Sequence, residues 1–127
     1  MKLILDTHAF LWFFNGDEQL SPQARLAIED DSNEKYVSLA SLWELAIKIC
    51  LGKLTYESGL DGLISLINLN GFLWLPINQN HILTLTTIPL IHKDPFDRLL
   101  ISQAINEKCL IVSKDEFIRQ YPLDILW

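Results

Sequence analysis

The chain has 127 residues, 50% of them hydrophobic and 20% charged, with a formal net charge of −6. That length suits one domain, residues 1–127, able to bury roughly two-thirds of its unfolded surface without a metal or a disulfide. Five Gly, five Pro, four Trp and six Phe exclude a disordered or collagen-like chain. The acidic balance excludes a broad basic platform for nucleic acid but leaves room for a small local one.

The run Lys2–Asp6 predicts a short apolar strand, too short for the core of a secretion signal. Thr7–Phe14 follows as a helix apolar nearly all round, stopped at Asn15-Gly16. Ser21-Pro22 opens a second helix with a capping hydroxyl and a proline at its first position. Tyr36–Ser38 is a second strand, and a helix from Ala40 to Leu51 ends at Gly52. Leu60–Leu69 is an amphipathic helix, Phe72–Ile77 a third strand, and Asn78 caps a short helix to Thr86. Asp94-Pro95 starts a helix to Glu107. Cys109–Val112 is a fourth strand, Lys114–Arg119 a short helix, and Asp124–Trp127 a last edge strand. Strands alternating with helices predict an α/β fold with a parallel sheet covered by helices. No apolar stretch approaches the roughly 20 residues of a membrane span. Cys50 and Cys109, without CxxC spacing, read as small buried apolar residues of a reducing compartment, so the expected location is the cytoplasm.

In parallel sheets, ligands bind beyond the carboxyl ends of the strands, and Asp6, Glu44, Asp97 and Asp115 all fall at such junctions. Asp6 could cap the helix after it, yet it is the lone carboxylate in a run expected to be buried, a costly placement unless it is paired or bound to a metal. Glu44 fits a capping box with Ser41 or an ion pair with Lys48. Ser41, Glu44 and Lys48 also form the one polar stripe of an otherwise apolar helix, which would face a cleft. Asp94 reads as a helix cap that could also pair with Arg98, and Asp97 as a first-turn acid that could equally be a ligand. Asp115, in a possible Ser113/Glu116 capping box, is accounted for singly by the helix dipole.

Together the four acids say more. Two carboxylates about 4 Å apart repel by roughly 4 kcal/mol at an effective dielectric near 20, against a total stability of about 5–15 kcal/mol. Several such pairs need protons or cations among them, and an all-oxygen set suits Mg²⁺ or Mn²⁺. His8, His81 and His92 show no HxxxH pairing, which argues against zinc. His8 and His92 could border the cleft or be ordinary surface or core residues.

Four blocks resemble the PIN domain, in particular VapC-type toxins of bacterial type II toxin–antitoxin pairs. They are Leu3-Ile4-Leu5-Asp6-Thr7-His8, Ser38–Lys48, His92–Leu100 and Leu110–Asp115. They occur in the family's order and span nearly the whole chain. The resemblance implies a three-layer αβα sandwich around a mainly parallel sheet and a Mg²⁺- or Mn²⁺-dependent endoribonuclease. It carries over Asp6, Glu44, Asp97 and Asp115 as the acidic metal site, Asp6 and Asp97 first among them. Thr7 and Ser113 become hydroxyls orienting those carboxylates, and Asp94 a neighbouring acid. It also implies a homodimer and a cognate antitoxin whose peptide crosses the acidic cleft with a basic side chain.

The expected reaction is hydrolysis of an RNA phosphodiester by a metal-activated water. The four site acids account for four of the six net negative charges, so phosphate attraction would fall to the ions and to Lys48, Lys53, Lys93, Arg98 and Lys114. Two other classes remain open. A receiver-like domain would need a phosphoacceptor acid at a central strand end, where the candidate strand reads Leu75-Pro76-Ile77-Asn78. A non-catalytic interaction protein could use the same fold. Trp12, Phe13 and Phe14, on a helix with almost no polar face, could cover an interface with a second copy or an antitoxin, or simply fill the core.

Overall fold

A computed structural model describes residues 1–127. The elements are β1 (Lys2–Leu5), α1 (Thr7–Asn15), α2 (Pro22–Glu29), β2 (Glu34–Ser38), α3 (Leu39–Cys50), α4 (Gly59–Leu69), β3 (Leu73–Leu75), α5 (Gln79–Leu85), α6 (Pro95–Glu107), β4 (Leu110–Val112) and β5 (Ile125–Leu126). The strands form one sheet in the order β3-β2-β1-β4-β5, with every neighbouring pair parallel.

The period-2 alternation of β1 divides the core. Leu3 and Leu5 point to one face, where Ala9 and Phe10 of α1, Ala24 and Ile28 of α2, Leu45 of α3, and Leu63 and Ile67 of α4 bury against them. Ile4 points to the other, with Ile111, Leu100, Ile101 and Ala104 of α6, Ile118 and Tyr121. The result is a three-layer αβα sandwich, as the family resemblance implies, with the parallel sheet covered by helices that the strand–helix alternation predicts. No helix is long and apolar enough to cross a membrane.

Most boundary signals act as expected. Ser21 caps α2 ahead of Pro22, and Asp94 caps α6 by accepting from the backbone N–H groups of Phe96 and Asp97 at 2.9 and 3.0 Å. Asn78 caps α5 in a reciprocal box with His81. Gly16 ends α1 in the left-handed region at φ 63°, where a side chain would be strained.

Other expectations are corrected. The Lys114–Arg119 helix shrinks to a single 3₁₀ turn, Ile118–Gln120, which begins later than expected because Asp115 caps the residues leading into it by accepting from the N–H groups of Phe117 and Ile118. Neither proposed capping box forms at Ser41 or at Ser113. The α3 cap is Ser38, whose Oγ accepts from the Ala40 N–H at 3.0 Å, while Ser41 is buried one turn further in. Ser113 instead accepts from the Asp115 N–H at 3.0 Å. The α3 helix is buried only along Ala40, Ser41 and Leu45, and it leaves Trp43 59% exposed. Cys50 is exposed, at the end of that helix, and only Cys109 is buried.

Candidate active site

The strand order reverses between β1 and β4, since β2 and β3 lie to one side of β1 and β4 and β5 to the other. At such a switch point, successive crossovers depart in opposite directions and leave a crevice at the carboxyl ends of the two central strands. Asp6 stands at the end of β1, and its backbone N–H donates to the Val112 carbonyl at the end of β4 (3.1 Å). Ser113 and Asp115 follow that same strand. The amino end of α6, carrying Asp94 and Asp97, returns to this edge because the helix must run back before entering β4.

Asp6 is 7% exposed. Its Oδ1 accepts from the Ala9 N–H at 2.7 Å, so it caps α1 from within the crevice. Burial pushes its carboxyl up from the ordinary aspartate value, and the Asp115 charge pushes the same way, against hydrogen bonds from Ser113 and Ala9. The Asp97 carboxyl is pushed up to about 6, first by burial, then by the charges of Asp94 and Asp115, with a hydrogen bond from His92 opposing. The Asp115 charge therefore opposes ionisation of both Asp6 and Asp97.

Glu44 joins them through Thr7. The Thr7 hydroxyl donates to Glu44 Oε1 at 2.6 Å, while the other oxygen pairs with Lys48 Nζ at 3.5 Å. The residue directly after Asp6 thus pins Glu44, the middle residue of the polar stripe of α3. No three His, Cys, Asp or Glu side chains are gathered closely enough to cage an ion by themselves. The donor set still fits a hard divalent cation: it is all oxygen, partly desolvated and mutually repelling, and Mg²⁺ usually keeps several waters on one or two carboxylates. Thr7 and Ser113 sit where outer hydroxyls would be needed, on Glu44 and Asp6.

The remaining candidates divide. His92 reaches the site, with Nε2 3.1 Å from Asp97 Oδ2 and its ring stacked on Phe117 at 5.2 Å. His8 is exposed and stacks on Trp12 at 5.6 Å. His81 is fully buried away from the acids, against Glu107. Arg98 does not pair with Asp94. Its guanidinium donates to the Pro89 carbonyl at 2.7 Å and to the Tyr121 hydroxyl at 3.0 Å. Lys114 lies over the Trp12 ring at 5.3 Å. Trp12, Phe13 and Phe14 are half-buried and pack on the core around α1. Sequence reasoning missed Tyr121 and Phe117, which carry no local signal and reach the site from the segment after β4.

The larger surface hollows are not lined by the four acids; the biggest is bounded by Ile77, Asn78 and Ile82. The strand leading into that region, β3, lies at the sheet edge and ends Leu75-Pro76-Ile77-Asn78, so it supplies no central phosphoacceptor acid. The receiver-like alternative loses its candidate there.

No curated protein sequence matches the chain. The fold is similar to that of a chain in VapBC2 from Rickettsia felis bound to a DNA fragment from its promoter (TM-score 0.72, 16% identity, 98% of this chain and 96% of that one). VapBC-1 from nontypeable Haemophilus influenzae (0.64, 15%, 94% and 91%) and FitAcB from Neisseria gonorrhoeae (0.62, 18%, 97% and 95%) are similar as well. The PIN domain description matches residues 3–122, a span that takes in Asp6, Glu44, Asp97 and Asp115 together, and on that match the chain belongs to the PIN domain family.

Proposed function

We propose that the chain is an endoribonuclease that hydrolyses RNA phosphodiester bonds with Mg²⁺ or Mn²⁺, acting as the toxin of a toxin–antitoxin pair. The observation that carries this is the crevice between β1 and β4, where burial raises the carboxyls of Asp6 and Asp97 and the Asp115 charge raises both further. Such a set is poised to exchange protons for a cation. Asp6 and Asp97 would hold it directly, with Glu44 and Asp115 acting through its waters.

When bound, the cation would acidify a water and neutralise charge on the phosphate. The chain's own groups supply position. The Ala9 N–H fixes Asp6, and Thr7 and Lys48 fix the two oxygens of Glu44. No side chain in the crevice is needed as a covalent nucleophile. Lys93, exposed beside the start of α6, would be the cation to meet substrate phosphates, whereas Arg98 is committed to Pro89 and Tyr121.

The test is cleavage of total RNA with Mg²⁺ or Mn²⁺, comparing wild type with Asp97→Asn and with excess EDTA, and mapping the ends. Asp97→Asn should cut at least about 100-fold more slowly, and EDTA should stop the reaction. Undiminished cleavage in EDTA overturns the metal-dependent reading. Loss of cleavage in a folded Asp6→Asn variant of undiminished stability would eliminate a non-catalytic interaction protein, whereas equal activity would count against the nuclease reading. Likeness to chains of VapBC complexes supports an antitoxin as partner, and a homodimer is proposed alongside it; a monomer on gel filtration at high concentration would count against the dimer.

A further inference from the structure

Two segments distant in sequence, His92–Arg98 and Phe117–Tyr121, meet behind Asp97. The hydroxyl of Tyr121, a residue only 3% exposed, lies 2.7 Å from His92 Nδ1. The same oxygen accepts from Arg98 Nη1 at 3.0 Å and from the His92 backbone N–H at 3.2 Å. A phenol oxygen has two lone pairs and one proton. With both lone pairs taken, the proton must go outward, and the acceptor within good range is His92 Nδ1. The His92 carbonyl, at 3.5 Å, is the distant alternative. An imidazole that accepts at Nδ1 carries its proton at Nε2, and Nε2 faces Asp97 Oδ2 at 3.1 Å. Phe117 is stacked on the ring almost parallel, with 5° between the planes, which favours this ring plane.

We propose that Arg98, Tyr121 and His92 form a one-way hydrogen-bond chain, each donating to the next, that fixes His92 as the Nε2–H tautomer and thereby orients the Asp97 carboxylate for its cation. Arg98 starts the chain because a guanidinium only donates, so its direction cannot reverse. One lobe of Asp97 Oδ2 is occupied by His92, and the remaining carboxylate lone pairs are left for the crevice. His92 and Tyr121 are thus positioning residues, in the way that partners of metal-binding side chains set their orientation. The role rests on the metal-dependent reading above, but the tautomer does not.

The test has two readouts on the full chain. In metal-free protein at about pH 8, long-range ¹H–¹⁵N correlation of the histidine rings should show His92 protonated at Nε2 alone, and Tyr121→Phe should give a mixture of tautomers. Mn²⁺ binding, followed by loss of the free-ion paramagnetic resonance signal, should weaken about tenfold in Tyr121→Phe. It should weaken at least as much in His92→Leu and less in His92→Gln, whose side-chain amide can still donate to Asp97. A wild-type His92 protonated at Nδ1 overturns the proposal, as does a pure Nε2–H ring in Tyr121→Phe. Unchanged Mn²⁺ affinity in folded Tyr121→Phe and His92→Leu overturns the positioning role. If wild type takes up no Mn²⁺, the nuclease reading and the positioning role fail together, while the ring spectra still decide whether the directed chain exists.

Discussion

Burial and the charges of Asp94 and Asp115 hold the Asp97 carboxyl at about 6, against 3.8 for an ordinary aspartate. Between those values the folded chain keeps a proton that the unfolded chain has released, so stability falls as pH rises through that window. The contribution is fully present below the unfolded value and gone above about 6, leaving a net cost at pH 7. Asp97→Asn should therefore be more stable than wild type in metal-free buffer at pH 7, by about 1–2 kcal/mol once solvent screening of a partly exposed group is allowed for. At about pH 3.5 the gain should vanish. Urea denaturation at the two pH values checks this, and an equal difference at both would contradict a desolvated carboxylate. Asp6 and Asp97 were legible as candidates because each stands beside a local signal, a strand end or a Pro-initiated helix. Tyr121 was not, since it meets His92 29 residues away in sequence through tertiary packing that no local pattern encodes.

Among the elements, the helix starts were the most readable, since a capping side chain and its proline are adjacent in sequence. The misplaced parts have a common cause. Serine at the start of α3 could cap from position 38 or 41, and the choice was made by the buried hydrogen bond from Ser38 Oγ to Gln103 Oε1 (2.5 Å), which ties β2 to α6. After β4, Asp115 caps the residues leading into the 3₁₀ turn, so the helical segment starts beyond it and not at Lys114. The apolar length of α3 implied burial everywhere except its Ser41, Glu44 and Lys48 stripe, but the helix is buried only along Ala40, Ser41 and Leu45 and leaves Trp43 against the Phe96 ring at 5.2 Å. The end of α6 offers a direct test of local strain. Lys108 is the sole non-glycine residue at positive φ, 55°, in the role that glycine usually takes after a helix. Lys108→Gly should raise stability by about 1 kcal/mol, measured by the denaturation midpoint; a loss would mean that the lysine side chain makes a contact worth more than the strain.

At the scale of the molecule, the parallel α/β class followed from alternation alone, whereas the strand order did not. Which strands are central depends on how crossovers pack, and it is this order that brings Asp6 and Asp115 to one crevice. The charge balance also acts globally. With a net charge of −6 and Arg98 withdrawn into the fold, few cations remain to meet a phosphate chain. RNA affinity should fall between about 50 and 200 mM salt with a slope reflecting only two or three phosphate contacts. A fluorescence-anisotropy titration would measure it, and a slope several times steeper would point to a basic surface supplied by a second copy.

The main-chain bond from Asp6 to Val112 means that the width of the crevice is written in the ladder of the sheet and not in the packing of its side chains. Truncating a core residue should then soften the molecule without changing the ruler: such variants would melt earlier, yet cut at the wild-type rate at every temperature where they remain folded.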